Sequence, residues 1–176
     1  MLPETFQTAR LVLRPIVSAD ADPIFDGYAQ DVEVTRFVTW RPHRSRGDTD
    51  AFIDLCIATP ADVARTYVLA GREDLALRGV FGLRQAAPHR LEFGYVLARP
   101  WWGQDLMTEA LLEVVDWALR QPAIFRIGGG CDVANIGSAR VMEKAGLVRE
   151  GLLRRWLVHP AISDEPRDCF CCARVR

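Results

Sequence analysis

The chain has no apolar run near the roughly 20 residues needed to span a membrane, so no transmembrane helix is expected. Its opening, Met1-Leu2-Pro3-Glu4, lacks the basic-then-apolar pattern of a secretory signal, and a cytoplasmic location is expected. An excess of either charge is also missing. The 22 basic and 23 acidic residues leave a formal net charge of −1, which supplies no global electrostatic footprint for nucleic acid. The five cysteines, Cys56, Cys131, Cys169, Cys171 and Cys172, are poorly spaced for a metal. Cys169 and Cys172 form one C-x-x-C, but neither a second such pair nor a spaced histidine pair accompanies it, so reduced thiols and no metal site are expected. Internal repeats, low-complexity tracts and long linkers are absent too. With 176 residues and 49% hydrophobic content, one domain spanning 1–176 with a substantial core is expected.

What the sequence does contain is concentrated at Pro100-Trp101-Trp102-Gly103-Gln104-Asp105-Leu106-Met107-Thr108-Glu109-Ala110. From Met107 the apolar residues Met107, Ala110, Leu111, Val114, Val115 and Ala118 fall on one helical face, with Glu109, Glu113, Asp116 and Arg120 on the other. A turn therefore runs into a helix N-terminus. Unpaired N–H groups and the positive end of the helix dipole suit an anion there, such as a pyrophosphate.

The remaining segments predict a mixed sheet with helices on its faces. Residues 6–16 read as a strand. Ser18 reads as a helix cap before the stripe Ile24, Phe25 and Tyr28. A helix over 48–58 is expected to turn Ala51, Phe52, Leu55 and Cys56 inward. Residues 66–71, 76–84 and 90–97 read as an antiparallel meander with turns near Glu73-Asp74 and Pro88-His89. The helix from Gln104 ends at Gln121-Pro122. A strand follows over 124–132, although Gly128-Gly129-Gly130 weakens it unless the backbone must approach something closely. A short helix from Asn135 or Ile136 to Ala145 is closed by Gly146. Strands over 147–158 and 167–175 finish the chain around a loop at 160–166.

Four segments in this order, Leu91-Glu92-Phe93-Gly94-Tyr95-Val96-Leu97, the turn at residues 100–110, residues 135–147 and Arg149-Glu150-Gly151, resemble the GNAT N-acetyltransferase superfamily, most closely its RimJ/RimL-like branch. The resemblance implies an α/β (α+β) fold, with a mostly antiparallel central sheet, one splayed strand pair and helices on both faces. It implies an N-acetyltransferase that moves an acetyl group from acetyl-CoA to a primary amine, at a protein N-terminus or on a small molecule, by direct attack in a ternary complex.

By that resemblance Val96 and Leu97 offer backbone to the pantetheine arm, and Gly103, Gln104, Asp105, Leu106, Met107 and Thr108 cradle the pyrophosphate. Asn135 matches a cofactor-contacting position, and Ser138 matches a serine that stabilises or protonates the leaving thiolate. Their other reading is helix capping. Many family members carry a tyrosine acid where this chain has Met142, which donates no proton. Glu92, beside the splayed strand, is the candidate base, or else a solvent-facing glutamate. Phe37, Trp40, Tyr28 and Trp156 are candidate acceptor-pocket residues, with core packing as the alternative. Arg36, Arg41, His43, Arg44 and Arg46 would suit an acidic acceptor if they faced the groove. Arg140 and Lys144 are candidates to face the cofactor's phosphates.

One position departs from the branch, which usually has glycine where Asp105 stands. An inward carboxylate would cost about fivefold to more than a hundredfold in affinity, and an outward one almost nothing. Asp105 therefore motivates a second reading, a noncatalytic CoA-binding or interaction domain with an altered phosphate loop. The resemblance also allows a homodimer.

Overall fold

The computed structural model describes residues 2–176. Its eight strands form one sheet in the order β1-β2-β3-β4-β5-β6-β8-β7, all neighbours antiparallel except β5 and β6. The strands are β1 (Phe6–Gln7), β2 (Leu11–Pro15), β3 (Ala64–Gly71), β4 (Leu77–Ala87), β5 (Arg90–Leu97), β6 (Arg126–Asp132), β7 (Val148–His159) and β8 (Ser163–Val175). The helices are α1 (Ala21–Ile24), which widens over Phe25–Ala29, α2 (Arg46–Ala58), α3 (Leu106–Arg120) and α4 (Ile136–Lys144).

The helices divide between the two faces because the strands present apolar side chains on both. On one face Leu13, Leu69, Phe81, Leu83, Leu91 and Ile127 pack with Leu106, Met107, Ala110, Leu111, Val114, Val115 and Ala118 of α3 and with Ala139 and Met142 of α4. The other face sets Val68, Val80 and Val96 against Ile24, Tyr28 and Ile53 of the first two helices. The expected inward face of α3 is buried at every position named for it.

Four local expectations are corrected. The strand expected over 6–16 is a hairpin, because Thr8 Oγ1 accepts from Leu11 N–H at 2.9 Å and turns the chain. Ser18 opens a short 3₁₀ turn instead of capping a helix, and the Asp20 carboxylate accepts from Val17 N–H at 2.8 Å. In α2, Phe52 and Cys56 pack against the core as expected, but Thr49 and Ile53 complete the inward face in place of the exposed Ala51 and Leu55, the latter 68% exposed. The final hairpin turns within 160–162, a tighter turn than the expected loop.

Glycine at 129 has a packing reason. A Cβ there would stand 2.9 Å from the Phe93 ring of β5, while one at Gly128 would stand 2.8 Å from the Cys172 carbonyl of β8, so β6 carries glycines because both neighbouring strands approach it closely.

Candidate active site

Strands β5 and β6 share only the register pairs Arg90↔Arg126, Leu91↔Ile127 and Glu92↔Gly128. Beyond Glu92 they part, although β5 continues to Leu97 and β6 to Asp132. The split opens into a groove of about 1610 Å³ that takes in β5, the 103–108 turn and the start of α4. Parallel strands that part leave unpaired backbone groups facing the gap, and those groups can bond an extended ligand. Val96 and Leu97 line it as expected, but the Leu97 carbonyl already accepts from the Trp102 indole N–H at 2.6 Å.

The turn before α3 is built for an anion. Among the hydrogen bonds of the described residues, no backbone N–H from residues 103–108 donates to the protein. The buried Thr108 Oγ1 likewise has no partner. Orphan donors at the N-terminus of a 15-residue helix, together with its dipole, fit a phosphate group. Asp105 sits at the helix N-cap with φ 57° and ψ 15°, the left-handed backbone that glycine adopts most easily and aspartate tolerates better than most residues. Its carboxylate bonds Lys144 Nζ at 2.6 Å, and that bond and charge hold it below the usual carboxylate range. Lys144 is the only lysine in the sequence. Arg140 joins Asp105 and Lys144 in lining the groove.

Asn135 caps α4, its Oδ1 accepting from Ser138 N–H at 3.1 Å. The Ser138 hydroxyl bonds the Tyr95 phenol at 2.8 Å. The sequence reading missed Tyr95 as a site residue. Its signal was the alternation of β5, which puts Tyr95 on the same face as Leu91 and Phe93, towards α3 and α4. Burial pushes its hydroxyl well above the ordinary tyrosine value, against the opposing effect of the Ser138 bond. Nearby Cys131 is pushed up to about 12, chiefly by burial, which keeps it a thiol and a poor nucleophile.

Glu92 projects from the opposite face of β5, in register with Arg84 and Gly128. Its Oε2 is bonded by Arg84, while Arg90 lies 3.6 Å from Oε1. A carboxylate has about four lone-pair sites, so Oε1 keeps room for an amine N–H. Phe37 and Trp40 line the same groove, Phe37 edge-on to His159 at 6.3 Å and Trp40 against His43 at 5.0 Å. Tyr28 and Trp156 line it as well, Tyr28 only 2% exposed and Trp156 open to solvent. Of the basic segment, Arg36 and His43 line the groove. Arg41 instead ties this loop to the final hairpin through the Pro160 carbonyl at 2.9 Å and Asp164 at 2.6 Å, and Arg46 pairs with Asp22 and Asp50.

A split parallel pair beside an anion-binding helix turn suits an extended ligand that carries phosphate. The sequence model of the family described as "Acetyltransferase (GNAT) domain" matches residues 10–148. The chain belongs to the GNAT acetyltransferase family. It is similar to the N-acetyltransferase p20 of Bacillus licheniformis, with 28% identity over 155 residues and 86% of each chain covered. It is also similar to the N-acetyltransferase YoaA of Bacillus subtilis, with 28% identity over 154 residues and 86% of each chain covered. Among solved structures the GNAT-family acetyltransferase from Bacillus anthracis shares the fold, with a TM-score of 0.85, 21% identity and 97% of this chain and 98% of that one covered. So does RimL, an alpha-N-protein acetyltransferase in complex with coenzyme A, with a TM-score of 0.82, 19% identity and 98% of both chains covered. As a GNAT member this protein is an acyltransferase. No helix among the described residues is long and apolar enough to cross a membrane.

Proposed function

We propose that this GNAT enzyme transfers an acetyl group from acetyl-CoA to a primary amine, at a protein N-terminus or on a small molecule, by direct attack in a ternary complex, and that residues 1–176 work as one domain. The observation that carries the proposal is the split between β5 and β6 next to the unpaired N–H groups of residues 103–108. The pyrophosphate would rest on those amides with Thr108 Oγ1 as a further donor, and the pantetheine arm would lie along Val96 and Leu97. The thioester would then cross the sheet through the split.

The two faces divide the chemistry. Glu92 stands on the face of α1 and α2, with Phe37 and Trp40 along the same groove, where an amine would approach and lose its proton. Ser138 stands near the far side of the split, where the sulfur would leave. An unperturbed α-amino group titrates near pH 8, so it needs only a modest base or a water to become nucleophilic. A backbone N–H of Val96 or Leu97 would polarise the carbonyl. The buried, protonated Cys131 gives no support to a covalent cysteine route. Lys144 compensates the Asp105 charge that motivated the noncatalytic reading.

Calorimetric titration with acetyl-CoA, beside an analogue lacking the pyrophosphate, tests the cofactor half. Micromolar binding that depends on the pyrophosphate supports the proposal, and equal binding of both ligands overturns it. A screen of peptide N-termini and small amines, read by thiol release, then tests the acceptor half.

A further inference from the structure

We propose that Tyr95 and Ser138 form a two-hydroxyl donor chain that stabilises the departing sulfur, with Tyr95 a positioning residue that acts through Ser138. The inference rests on the acyl-CoA reading above.

The distances of the pair allow the phenol to donate to Ser138 Oγ or to the Ser138 carbonyl. Tyr95 Oη lies 2.8 Å from Ser138 Oγ and 3.3 Å from the Ser138 carbonyl. Apart from Tyr95, the side chain close to Ser138 Oγ is the buried Cys131 thiol, a weak donor and a weak acceptor that competes poorly for the serine proton. When the phenol donates to Ser138 Oγ, at the shorter distance, the serine's own proton is left over and free to point into the groove that both residues line. A hydroxyl that accepts one hydrogen bond donates the next more strongly, so the phenol makes Ser138 a better donor than a lone serine.

Both ends of the chain are fixed. Asn135 Oδ1 holds the Ser138 N–H, which sets the first turn of α4. The Tyr95 ring is stacked 6.0 Å from Phe93 with planes 6° apart, and 6.2 Å from Phe81. Tyr95 also follows the last β5–β6 register pair by three positions, so its ring bridges from the parted strand to α4. Met142 is buried in the core among apolar side chains and offers no proton there. Burial disfavours a tyrosinate, so Tyr95 keeps its proton and lends a hydrogen bond instead of surrendering charge.

The step balances without a second reagent. The amine nitrogen bonds to the carbonyl carbon, the C–S bond breaks with its electron pair going to sulfur, and the amine proton leaves towards Glu92 or water. Ser138 donates a hydrogen bond to the thiolate, which later takes its proton from solvent.

The test titrates the thiol of bound coenzyme A by its thiolate ultraviolet absorbance, with the desulfo analogue as the blank so that tyrosine ionisation cancels. Wild type is compared with Tyr95→Phe, Ser138→Ala and the double variant. We expect the bound thiol to titrate about 1 unit higher in Tyr95→Phe than in wild type. Affinity for the desulfo analogue should stay unchanged, and the double variant should match Ser138→Ala. An unshifted thiol in Tyr95→Phe overturns the chain, as does equal weakening of coenzyme A and its desulfo analogue, which marks a structural role only. Failure of wild type to bind either ligand is a separate result: it overturns the acyl-CoA reading itself and the donor chain with it.

Discussion

Lys144 Nζ lies 2.6 Å from Asp105 Oδ1, so the carboxylate inside the anion-binding turn is held by the chain's single lysine. The pair joins the N-terminus of α3 to the C-terminal turn of α4. Removing the lysine leaves a bare carboxylate beside any bound phosphate, whereas removing the carboxylate frees the ammonium for that phosphate. Lys144→Ala should therefore weaken acetyl-CoA binding about fivefold or more, and Asp105→Gly should tighten it by a similar factor, both effects shrinking in high salt. Calorimetry at two ionic strengths checks the signs. Asp105→Gly should also raise the melting temperature by about 2 °C, since φ 57° costs glycine nothing.

Gly129→Ala should cost about 1–3 kcal/mol of stability, because the new Cβ meets the Phe93 ring and the Phe93 carbonyl at 2.9 and 3.2 Å. Displacing Phe93 also disturbs the stack that carries Tyr95. Denaturant unfolding measures the first effect and coenzyme A affinity the second. Unchanged values for both would mean that the ring has room to move.

Glu92→Gln should lower turnover by about a hundredfold or more while leaving the acetyl-CoA KM nearly unchanged, the signature of a lost base. Steady-state rates against pH with the acceptor found by screening provide the check. The ion pairs to Arg84 and Arg90 are partly exposed, so stability should change little.

Asp132 is fully buried, bonded by Arg167 at 2.5 and 3.1 Å and by the Ala134 N–H at 2.8 Å. Burial alone would raise its pKa, but the arginine and the backbone donor outweigh it and hold the group below the usual carboxylate range. A depressed folded-state pKa contributes stability that is present above the unfolded value, about 3.8, and is lost as pH falls through the folded value. Asp132→Asn should accordingly be less stable than wild type at pH 7, and the gap should narrow below about pH 4. Denaturant melts across that range read the gap directly.

Much of the architecture is legible in the residues. The six named apolar positions of α3 repeat at helical spacing and are all buried, and Gly146 takes φ 79° where a helix C-cap was expected. The face of α2 was harder to read, because Ala51, Phe52, Ile53, Leu55, Cys56 and Ile57 surround the helix and periodicity selects no single side. The glycine-like backbone at Asp105 could be anticipated from its place in the turn. Its partner Lys144 could not, being 39 residues away. Tyr95 escaped for the same reason. Its bond to Ser138 spans 43 residues, and β5 reads equally well as an ordinary core strand. Local pattern identifies elements, but a site made where two of them meet depends on how they are packed.

The parting of β5 from β6 has a mechanical side. Two plates, β1 to β5 and β6 to β8, are joined along the sheet by a seam only three register pairs long. Bending stiffness across such a seam is lower than across the flanking β4–β5 and β6–β8 ladders, which run longer. A molecule bonded to both lips acts as a splint. Amide exchange in β5 and β6 should then slow together when the groove is filled, so that occupancy of the groove sets the rigidity of the whole sheet.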